Sequence, residues 1–597
     1  MIYETHTNNK LINTMATPDP VYESIKLCFQ QTCFNTFGKI PYQWQTDVGT
    51  FVLGCHLLNS PLKLLLVRPT GGGKTLVFTS IAACIKGITL CITPLLSLGA
   101  DQVQKIMSKT SETNKTIVGF HLDELNDAQL LDLKNYLSTL LPTTLKTIVL
   151  FSSPQRIVSD NGPAADLMSD IIVNNKIRFI VFDEIHLAVH YGKTFRKEFG
   201  QLKGKLFNRM PSQIPMLFMT ATCTASIASS FESLMGIKFD AKDWPTSFGM
   251  MHRSVRIEAK YTTCPAALVK KAIREPLRPV PANPDLPNKV IVYSNSRRKI
   301  VQFSEQLGEE FDHHDDLQDY DIITLVGTLK RQQKAMFITK FINMADSDDF
   351  KPRVLCATSG VGNAGIDSPD IRAVFRLDFP PSIIDVCQEK GRAGRRPNAL
   401  QSDYIYYIAF SLESFIHLFK RIHDPENNVI DKSYREHQVN DLLQVAKLLS
   451  SMDCFSIRLE MMLGNPGTSL RSNVICGACP NCVSPNVLFP SISKTGCRKI
   501  LIDLFVAGPN TIVTKRTEQT LEKAMVLYPN INQLLFHSAA VKVVPLKIKK
   551  TIFVLIAAGI ITLKYLDNEV HLRLAISNDS THVALNEEHV WNTIRQK

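Results

Sequence analysis

The sequence has no apolar run long enough to span a bilayer. Its longest, TIFVLIAAGIITL at 551–563, falls short of the roughly 20 apolar residues that a membrane helix needs, and it is predicted to be a buried helix that runs into a strand. The opening residues, MIYETHTNNKLINT, lack the apolar core of a secretory signal. No internal repeat or low-complexity tract is present. With 45% hydrophobic and 20% charged residues, the composition is that of a globular protein.

Cysteine usage, charge and length indicate the redox state, the kind of partner and the number of domains. The fourteen cysteines are scattered, and without a secretory signal we expect most of them to be reduced, as in the cytosol or nucleus. The net charge of +12 favours a polyanionic partner but does not identify it. A length of 597 residues suggests about four domains.

A glycine-rich turn between a strand and a helix predicts a phosphate-binding loop. In KLLLVRPTGGGKTLVF (63–78), three glycines allow backbone N–H groups to approach phosphate oxygens, and the following helix adds a favourable dipole. Lys74 can reach the β- and γ-phosphates, and the Thr75 hydroxyl suits Mg²⁺. A chance turn is the alternative, and the GKT triplet argues against it. The predicted nucleotide-binding residues are Thr70, Gly71, Gly72, Gly73, Lys74 and Thr75.

An acidic pair at the end of an apolar strand supplies the second half of a nucleotide site. In KIRFIVFDEIH (176–186), the strand Ile177–Phe182 leads into Asp183 and Glu184. Asp183 would hold Mg²⁺ through water, and Glu184 would orient or deprotonate the attacking water, as phosphoryl transfer requires. A solvated acidic loop is the alternative, which the phosphate loop disfavours. Lys74, Asp183 and Glu184 are therefore predicted to be catalytic.

Both motifs resemble those of DExH helicases in the second helicase superfamily, and further segments resemble the RecQ family of DNA helicases. These segments are TLCITPLLSLGADQV (89–103), FSSPQRIV (151–158), FMTATCT (218–224) and DEIHLAVHYGKTFRKEF (183–199). The last matches the family's DEAHCISQWGHDFRPEY nearly position by position. The resemblance implies an ATP-dependent DNA helicase that moves 3′ to 5′ on a single strand.

The resemblance also gives a role to the loop after the acidic pair. This aromatic-rich loop senses DNA in the family and signals to the ATP site. Here His190 and Tyr191 replace the usual Gln and Trp, and both side chains can stack on bases. For Tyr191, a surface aromatic without a binding role is the alternative.

An upstream segment resembles the part of the family that reads adenine. FGKIPYQWQ (37–45) stands where the family has FxxFRxxQ. Gln45 matches the glutamine, with Gln43 as an alternative. Tyr42 takes the place of the family's Arg, so adenine selectivity is predicted less directly than ATP hydrolysis.

The second half of the chain continues the resemblance. KVIVYSNSRRKI (289–300) resembles the family's IIYCNSR motif, and CQEKGRAGR (387–395) matches its QxxGRxGR signature. The resemblance implies that Arg392 and Arg395 act on the γ-phosphate across a cleft, with Arg395 as the finger and Gln388 at the nucleotide. An arginine supplied this way can be worth about 10³–10⁵ in rate. A basic solvated loop is the alternative.

One segment departs from the family pattern. ATSGVGNAGID (357–367) is one residue longer than the family's ATxAFGMGIN, a motif that contacts the DNA backbone and ATP. Asp367 occupies a position where many helicases of the superfamily have Asp. We interpret the extra residue as a subfamily variation that a glycine-rich bulge absorbs. Weakened coupling is the alternative.

A cysteine-rich segment predicts a structural zinc site. CGACPNC (476–482) holds three cysteines, whereas a structural zinc normally takes four protein ligands. The RecQ resemblance implies that the fourth ligand is a cysteine on a preceding helix, here within SMDCFSIRLEMMLG (451–464). Cys497 is a spare candidate, and free cysteines are the alternative. The predicted ligands are Cys454, Cys476, Cys479 and Cys482.

The tail from about residue 490 predicts three helical stretches and then a hairpin with its turn at Asp567 and Asn568. The RecQ family has a winged helix in this place, whose hairpin often separates strands. This resemblance suggests that Tyr565 stacks at a DNA fork, with simple packing as the alternative. Basic residues of the last helix either face phosphates or lie at a solvated helix end. They are Lys547, Lys549 and Lys550.

The expected fold class is α/β, with two tandem RecA-like P-loop domains, a helical zinc-binding module with four cysteine ligands and a winged-helix-like C-terminal domain. The N-terminal tail, partly disordered, is expected at 1–35. The RecA-like domains are expected at 36–243 and 244–428, the zinc module at 429–489, and the winged-helix-like domain at 490–597.

We therefore expect a RecQ-type ATP-dependent DNA helicase that acts in repair or recombination, with ATP, Mg²⁺ and Zn²⁺ as cofactors. Its partners would be single-stranded DNA and duplex junctions, its location the nucleus, and no membrane contact is expected. Two alternatives stay open. One is a DExH RNA helicase, and the other is a nucleic-acid-binding protein with impaired ATPase activity.

Overall fold

The computed structural model of this chain divides into two compact units, Met1–Thr246 and Ser247–Lys597. It describes residues 20–68, 71–93, 103, 106, 117–139, 146–190, 193–243, 255–277, 289–313, 320–342, 353–359, 366, 368, 370–395, 404–424, 432–451, 453–463, 479–483, 546–559, 561–566 and 569–574. Each unit is built on its own parallel sheet.

The sheet of the first unit has seven strands among the described residues, in the order β3-β4-β2-β5-β6-β1-β7, and all its pairings are parallel. Its inner strands are buried along nearly their whole length, as expected where helices cover both faces of a parallel sheet. The strands are β1 (Lys63–Val67), β2 (Gly87–Ile92), β3 (Ile117–His121), β4 (Thr147–Ser152), β5 (Ile177–Phe182), β6 (Met216–Thr220) and β7 (Ala241–Asp243).

Several helices of the first unit begin at a polar cap. Asn126 Oδ1 accepts a hydrogen bond of 2.9 Å from Gln129 N, and the Thr224 hydroxyl accepts one of 3.1 Å from Ile227 N. The helices are α1 (Pro20–Phe37), α2 (Gln43–Leu57), α3 (Lys74–Ile85), α4 (Asp127–Ser138), α5 (Pro154–Val158), α6 (Pro163–Val173), α7 (His186–His190), α8 (Lys193–Lys205) and α9 (Ala225–Met235).

Helix α1 begins within the segment at 1–35 that the sequence analysis expects to be a partly disordered N-terminal tail. The chain is helical there from Pro20. The helix forms because Phe29 and Cys33 are buried in the core of the first unit, where the Phe29 ring fills the space beside Gly49 of α2. Residues 1–19 lie outside the described part of the chain.

Aromatic packing supports the end of β5, where the acidic pair begins. Phe182, its last residue, stacks on Phe218 of β6 with ring centroids 4.8 Å apart. Phe231 of α9 meets Phe218 edge-on at 5.7 Å. Such ring pairs add roughly 0.5–1.5 kcal/mol each beyond area burial, so this strand end is held rigidly.

The sheet of the second unit has six strands among the described residues, in the order β10-β11-β9-β12-β13-β8, again all parallel. The strands are β8 (Val255–Tyr261), β9 (Lys289–Ser294), β10 (Asp321–Leu325), β11 (Arg353–Thr358), β12 (Ile371–Arg376) and β13 (Tyr404–Phe410). Strands β9 and β13 are buried throughout. Parallel strands joined by helices in both units agree with the predicted RecA-like class.

Helices of the second unit fall into two groups. The first group lies between strands and consists of α10 (Pro265–Ala272), α11 (Arg274–Leu277), α12 (Arg297–Asp312), α13 (Arg331–Ile342) and α14 (Ile383–Lys390). The second group follows β13 and consists of α15 (Leu412–His423), α16 (Lys432–Ser450), α17 (Phe455–Met462), α18 (Pro480–Val483) and α19 (Leu546–Ala557).

Helix α19 packs into the core of the second unit. Phe553, which has no exposed surface, lies 5.4 Å from the Phe410 ring and 5.8 Å from those of Phe379 and Phe415. The helix is followed by strands β14 (Ile561–Leu566) and β15 (Glu569–Leu574), which pair antiparallel. A helix and a hairpin were expected here, and the winged helix as a whole stays a prediction. Its first two helical stretches lie outside the described residues.

The apolar run at 551–563 is divided as predicted, into a helix that ends at Ala557 and a strand that begins at Ile561. Within the described ranges, no helix is both long and apolar enough to cross a membrane.

The packing of α19 is testable. Phe553→Ala is expected to destabilise the second unit by roughly 3–5 kcal/mol, because it removes a fully buried ring from an aromatic cluster. Hydrogen-exchange mass spectrometry of the intact chain should then show faster exchange in β8 and β13. Met336→Ala is the control, since Met336 is 59% exposed on α13. Equal exchange in both variants would show that α19 does not support this core.

Candidate active site

The phosphate loop joins β1 to α3 and adopts a backbone that favours glycine. Gly71 and Gly73 have φ of 77° and 89°, in the left-handed region, and Gly73 caps the N-terminus of α3. A Cβ at Gly73 would lie 2.4 Å from Gln45 Nε2, too close for any other residue without rearrangement. Lys74 and Thr75 open the helix, as predicted. Thr70 lies outside the described residues.

Gln45 connects the upstream segment to this loop. Its Oε1 accepts a 2.7 Å hydrogen bond from Tyr42 N, and its Nε2 donates a 3.1 Å hydrogen bond to Gly73 O. With only 2% of its surface exposed, the amide is fixed in place. The contact of Gln45 with adenine stays a prediction. The structure shows a second role for this amide, which is to hold Gly73 in place by a hydrogen bond.

The Lys74 ammonium is held close to the loop from the side of β1. Its Nζ donates a 2.9 Å hydrogen bond to Arg68 O. Arg68 is itself buried, pairs with Asp243 at 2.7 Å, and places its guanidinium 4.7 Å from the centre of the Trp44 ring. The Lys74 side chain is therefore held in one position beside the loop.

The acidic pair follows β5, which lies beside β2 and β6 in the same sheet. Asp183 is buried, and its Oδ1 accepts a 3.0 Å hydrogen bond from Glu184 N. Glu184 has φ of 52°, a left-handed conformation that is uncommon for residues other than glycine. A strained backbone of this kind persists when surrounding structure holds it, and such strain concentrates at functional sites.

The charge environment keeps Glu184 ionised. Burial alone would raise the pKa of Glu184, but His186 and Lys74 lower it to about 2. His186 Nδ1 lies 3.3 Å from Glu184 Oε2. Because Lys74 contributes to this shift, the phosphate loop and the acidic pair belong to one electrostatic site. At neutral pH the Glu184 carboxylate is therefore ionised.

His186 connects the acidic pair to the FMTATCT segment, a link that sequence reasoning missed. The His186 ring is fully buried, and its Nδ1 lies 2.8 Å from Thr220 Oγ1. The Thr220 hydroxyl is also bound to the backbone of Thr222, donating to its O at 3.0 Å and accepting from its N at 3.2 Å. The only sequence signal for this link was the presence of both motifs in one chain.

A second site forms around Arg376, at the end of β12. This guanidinium has no exposed surface and donates to Asp378 Oδ1 at 2.8 Å and to Ser359 Oγ at 2.7 Å. It also donates to Asn295 Oδ1 and to Glu389 Oε1. Residues from three predicted helicase segments, at 289–300, 357–367 and 387–395, therefore bind one cation. The sequence analysis gave this arginine no role.

The carboxylates around Arg376 have further partners. Asp378 Oδ2 accepts 2.8 Å hydrogen bonds from Ser294 Oγ and Asn295 N. Glu389 Oε2 accepts a 2.9 Å hydrogen bond from the Tyr406 hydroxyl. Burial raises the pKa of Glu389 to about 7, against the opposing charge of Arg376. A buried network of this kind is stable only while every member keeps its partners.

The predicted arginines differ in their surroundings. Arg392 is 8% exposed and donates a 2.7 Å hydrogen bond from Nη1 to Ile366 O. Arg395 is half-buried and donates a 2.8 Å hydrogen bond from Nε to Gly391 O. Gln388 is half-buried near the end of α14. Residues 360–365 and 367 of the longer motif lie outside the described part.

The predicted DNA-stacking residues are only partly visible. His190 ends α7, but its side chain is outside the described part, as is the whole of Tyr191. The Tyr565 ring lies 5.4 Å from the ring of His423 on α15. That contact favours the packing alternative for Tyr565, and its role at a fork stays a prediction.

Three of the four predicted zinc ligands converge. The Sγ atoms of Cys454, Cys479 and Cys482 all lie within 4.8 Å of one another. Cys479 Sγ is 3.9 Å from Cys454 Sγ and 3.4 Å from Cys482 Sγ, close to the ~3.8 Å edge of a tetrahedron with Zn–S bonds of about 2.3 Å. Cys476 and Cys497 lie outside the described residues. The group fits a metal ion.

Two family models match the chain. One, described as DEAD/DEAH box helicase, matches residues 55–230. The other, described as Helicase conserved C-terminal domain, matches residues 272–397. The first match contains the phosphate loop and the acidic pair, and the second contains Arg376, Arg392 and Arg395.

Curated relatives align over much of the chain. ATP-dependent helicase SGS1 of Saccharomyces cerevisiae is 24% identical over 467 residues, which cover 76% of this chain and 28% of the relative. ATP-dependent DNA helicase RecQ of Haemophilus influenzae is 28% identical over 334 residues, 55% of this chain and 46% of the relative. The chain thus spans less than half the length of either relative.

Similarity also extends to solved structures. Mycobacterium smegmatis helicase Lhr, bound to ssDNA and AMP-PNP, superposes with a TM-score of 0.46 at 14% identity, covering 84% of this chain and 60% of that one.

The loop geometry predicts the effect of Gly73→Ala. A side chain at this positive φ costs roughly 1–2 kcal/mol, and its Cβ would collide with Gln45 Nε2, so the loop must leave its present shape. Nucleotide affinity, measured by titration with a fluorescent ATP analogue, is expected to fall at least about tenfold. Gly54→Ala in α2, where a Cβ meets nothing within 4 Å, is the matched control. Equal affinities would mean that this loop does not hold the phosphates.

Proposed function

We propose that this chain is a RecQ-type superfamily 2 helicase, which hydrolyses ATP to move along single-stranded DNA and separate duplexes. The observation that carries the proposal is the shared electrostatics of Lys74 and Glu184. The phosphate-loop lysine helps to keep a half-buried carboxylate ionised, and its Nζ is held by a hydrogen bond to Arg68 O. ATP hydrolysis requires these two groups together.

The chain's own residues divide the work of hydrolysis. Backbone N–H groups of residues 71–73 and the Lys74 ammonium bind the phosphates. Ionised Glu184 orients the attacking water and accepts its proton. The Thr75 hydroxyl and the Asp183 carboxylate offer the oxygen ligands that suit Mg²⁺, which when bound neutralises charge on the phosphates.

Arg395 is the arginine that we propose to stabilise the γ-phosphate. Arg392 is nearly buried and is bound to Ile366 O, so it is suited to positioning its segment. Arg395 keeps more exposed surface than Arg392. The role itself rests on the resemblance of CQEKGRAGR to the family signature.

DNA as the substrate, 3′-to-5′ direction and a role in repair or recombination are parts of the same proposal. The relatives' printed names support DNA, since several are DNA helicases. A nuclear location also stays a proposal, because the relatives come from both eukaryotes and bacteria. An RNA substrate or a lost ATPase activity is what the tests below would reveal.

We further propose that Cys454, Cys476, Cys479 and Cys482 hold a structural zinc ion. The three described thiols have the spacing of zinc ligands, and Phe455 N donates a 3.3 Å hydrogen bond to Cys479 Sγ, which favours a thiolate. Four thiolates leave no open position for water, so the ion would stabilise the fold and take no part in catalysis.

Glu184→Gln tests the hydrolytic site. Amide replacement keeps the shape but removes the proton acceptor, so ATP turnover should fall by about 10²-fold or more while ATP still binds. Turnover is measured by phosphate release with no nucleic acid, with single-stranded DNA, and with single-stranded RNA. Glu305→Gln, on the exposed side of α12, is the control and should keep wild-type turnover.

The result also separates the alternatives. Stimulation by DNA supports the proposal. Stimulation by RNA alone would show that the substrate assignment is wrong. If the wild-type protein hydrolyses no ATP under any condition, the chain is a binding protein and the longer motif at 357–367 becomes the first suspect.

The zinc proposal predicts the metal content of purified protein. Wild-type chain should contain about one zinc ion, and Cys479→Ser should lose it and melt at a lower temperature, because the ion's binding energy contributes to folding. Cys264→Ser is the control, since Cys264 is exposed and outside the cluster. Elemental analysis that finds no zinc in the wild type, or equal zinc in both variants, would refute the assignment.

A further inference from the structure

Two cysteines of the first unit lie on helices that pack against each other in its core. Cys28 is on α1 and is exposed, whereas Cys84 is on α3 and is half-buried. Helix α3 begins at the phosphate loop with Lys74 and Thr75, and Cys84 lies in its last turn. We call Cys28 and Cys84 the thiol pair.

Two hydrogen bonds show which faces of α1 and α3 meet. Cys33 Sγ donates a 3.1 Å hydrogen bond to Ser80 Oγ, and Cys84 Sγ donates one of 3.3 Å to Thr32 Oγ1. Ser80 and Cys84 are one turn apart, so one face of α3 lies on α1. Cys28 and Thr32 are also one turn apart. Cys28 therefore lies on the same face of α1 as the residue that binds Cys84.

The two sulfur atoms of the thiol pair interact directly. Burial raises the pKa of Cys84 to about 12, and the Cys28 thiol contributes to the rise both by its charge and by a hydrogen bond. A hydrogen bond between side chains requires that their polar atoms be neighbours. The fold therefore brings the two thiols together without any cross-link between them.

The thiols of this region differ in what can reach them. Cys28 is exposed, so a small oxidant in solution can meet its sulfur. Cys84 is half-buried and stays protonated at neutral pH, so it is suited to react second. Cys33 has no exposed surface and is bound to Ser80, so it does not compete for the oxidant.

We propose that the thiol pair is a site of reversible oxidation, where hydrogen peroxide converts Cys28 and Cys84 to a disulfide that links α1 to α3. The Cys28 thiolate attacks one peroxide oxygen, so that an S–O bond forms, the O–O bond breaks and the second oxygen takes a proton and leaves as water. The Cys84 sulfur then attacks the Cys28 sulfenic acid. The S–S bond forms, the S–O bond breaks, and hydroxide leaves as water with the Cys84 proton. Two thiols lose two electrons, which the peroxide gains.

The disulfide closes a loop of chain that contains the candidate nucleotide site of the first unit. This loop includes Gln45, the glycines at 71–73 and Lys74. Closing a long loop in the unfolded chain favours the folded state, so oxidation of the pair should raise the melting temperature. The proposal does not rest on the proposed function, because the thiol chemistry needs neither nucleotide nor nucleic acid.

The test maps the oxidised residues of the full-length chain. Reduced protein is freed of reductant and treated with hydrogen peroxide, its remaining thiols are alkylated, and the digest is analysed by mass spectrometry. The wild type should give a cross-linked pair of peptides that contain Cys28 and Cys84, lighter by two hydrogen atoms than the two reduced peptides. Dithiothreitol should remove the cross-link.

Three variants make the result specific. Cys28→Ser should lose the cross-link and leave Cys84 alkylated, and after oxidation it should melt at least about 2 °C below the wild type. Cys84→Ser should stop at a sulfenic acid on Cys28, which dimedone traps. Cys264→Ser is the matched control, since Cys264 is exposed in the second unit, and it should form the cross-link as the wild type does.

Three results would overturn the proposal. If Cys28 of the oxidised wild type carries sulfenic or sulfinic acid while Cys84 is still alkylated, the two sulfur atoms do not combine. If either cysteine is joined instead to Cys33, the assigned partner is wrong. If the cross-link forms equally fast in the urea-unfolded chain, the packing of α1 on α3 does not bring the thiols together.

Discussion

The buried guanidinium of Arg376 is the constraint around which the second unit is arranged. An unpaired charge in a protein interior is strongly destabilising, so the chain must bring acceptors to it from wherever they lie in sequence. The acceptors come from the ends of β9 and β11 and from α14, and they are Asn295, Ser359 and Glu389. Acceptors up to 81 residues away from Arg376 in sequence thereby take fixed positions around its side chain.

In the first unit, too, a charged side chain is stabilised by partners that the fold brings close to it. Glu184 has a strained backbone, and its carboxylate stays ionised because His186 and Lys74 lower its pKa. Gln45 holds Gly73 of the loop by a hydrogen bond, and Thr220 holds His186 in the same way. In both units, buried polar contacts hold the helicase segments in place. The apolar sheets hold the strands from which those segments extend.

The sequence predicted the features whose interactions lie within a few residues of one another along the chain. The phosphate loop, the acidic strand end and the helix-to-strand change at 551–563 are encoded within a few residues, and all three are present. Helix α1 was missed because its burial depends on Phe29 reaching Gly49 of another helix. The partners of Arg376 were missed for the same reason, since nothing local in RAVFR identifies an acceptor in α14.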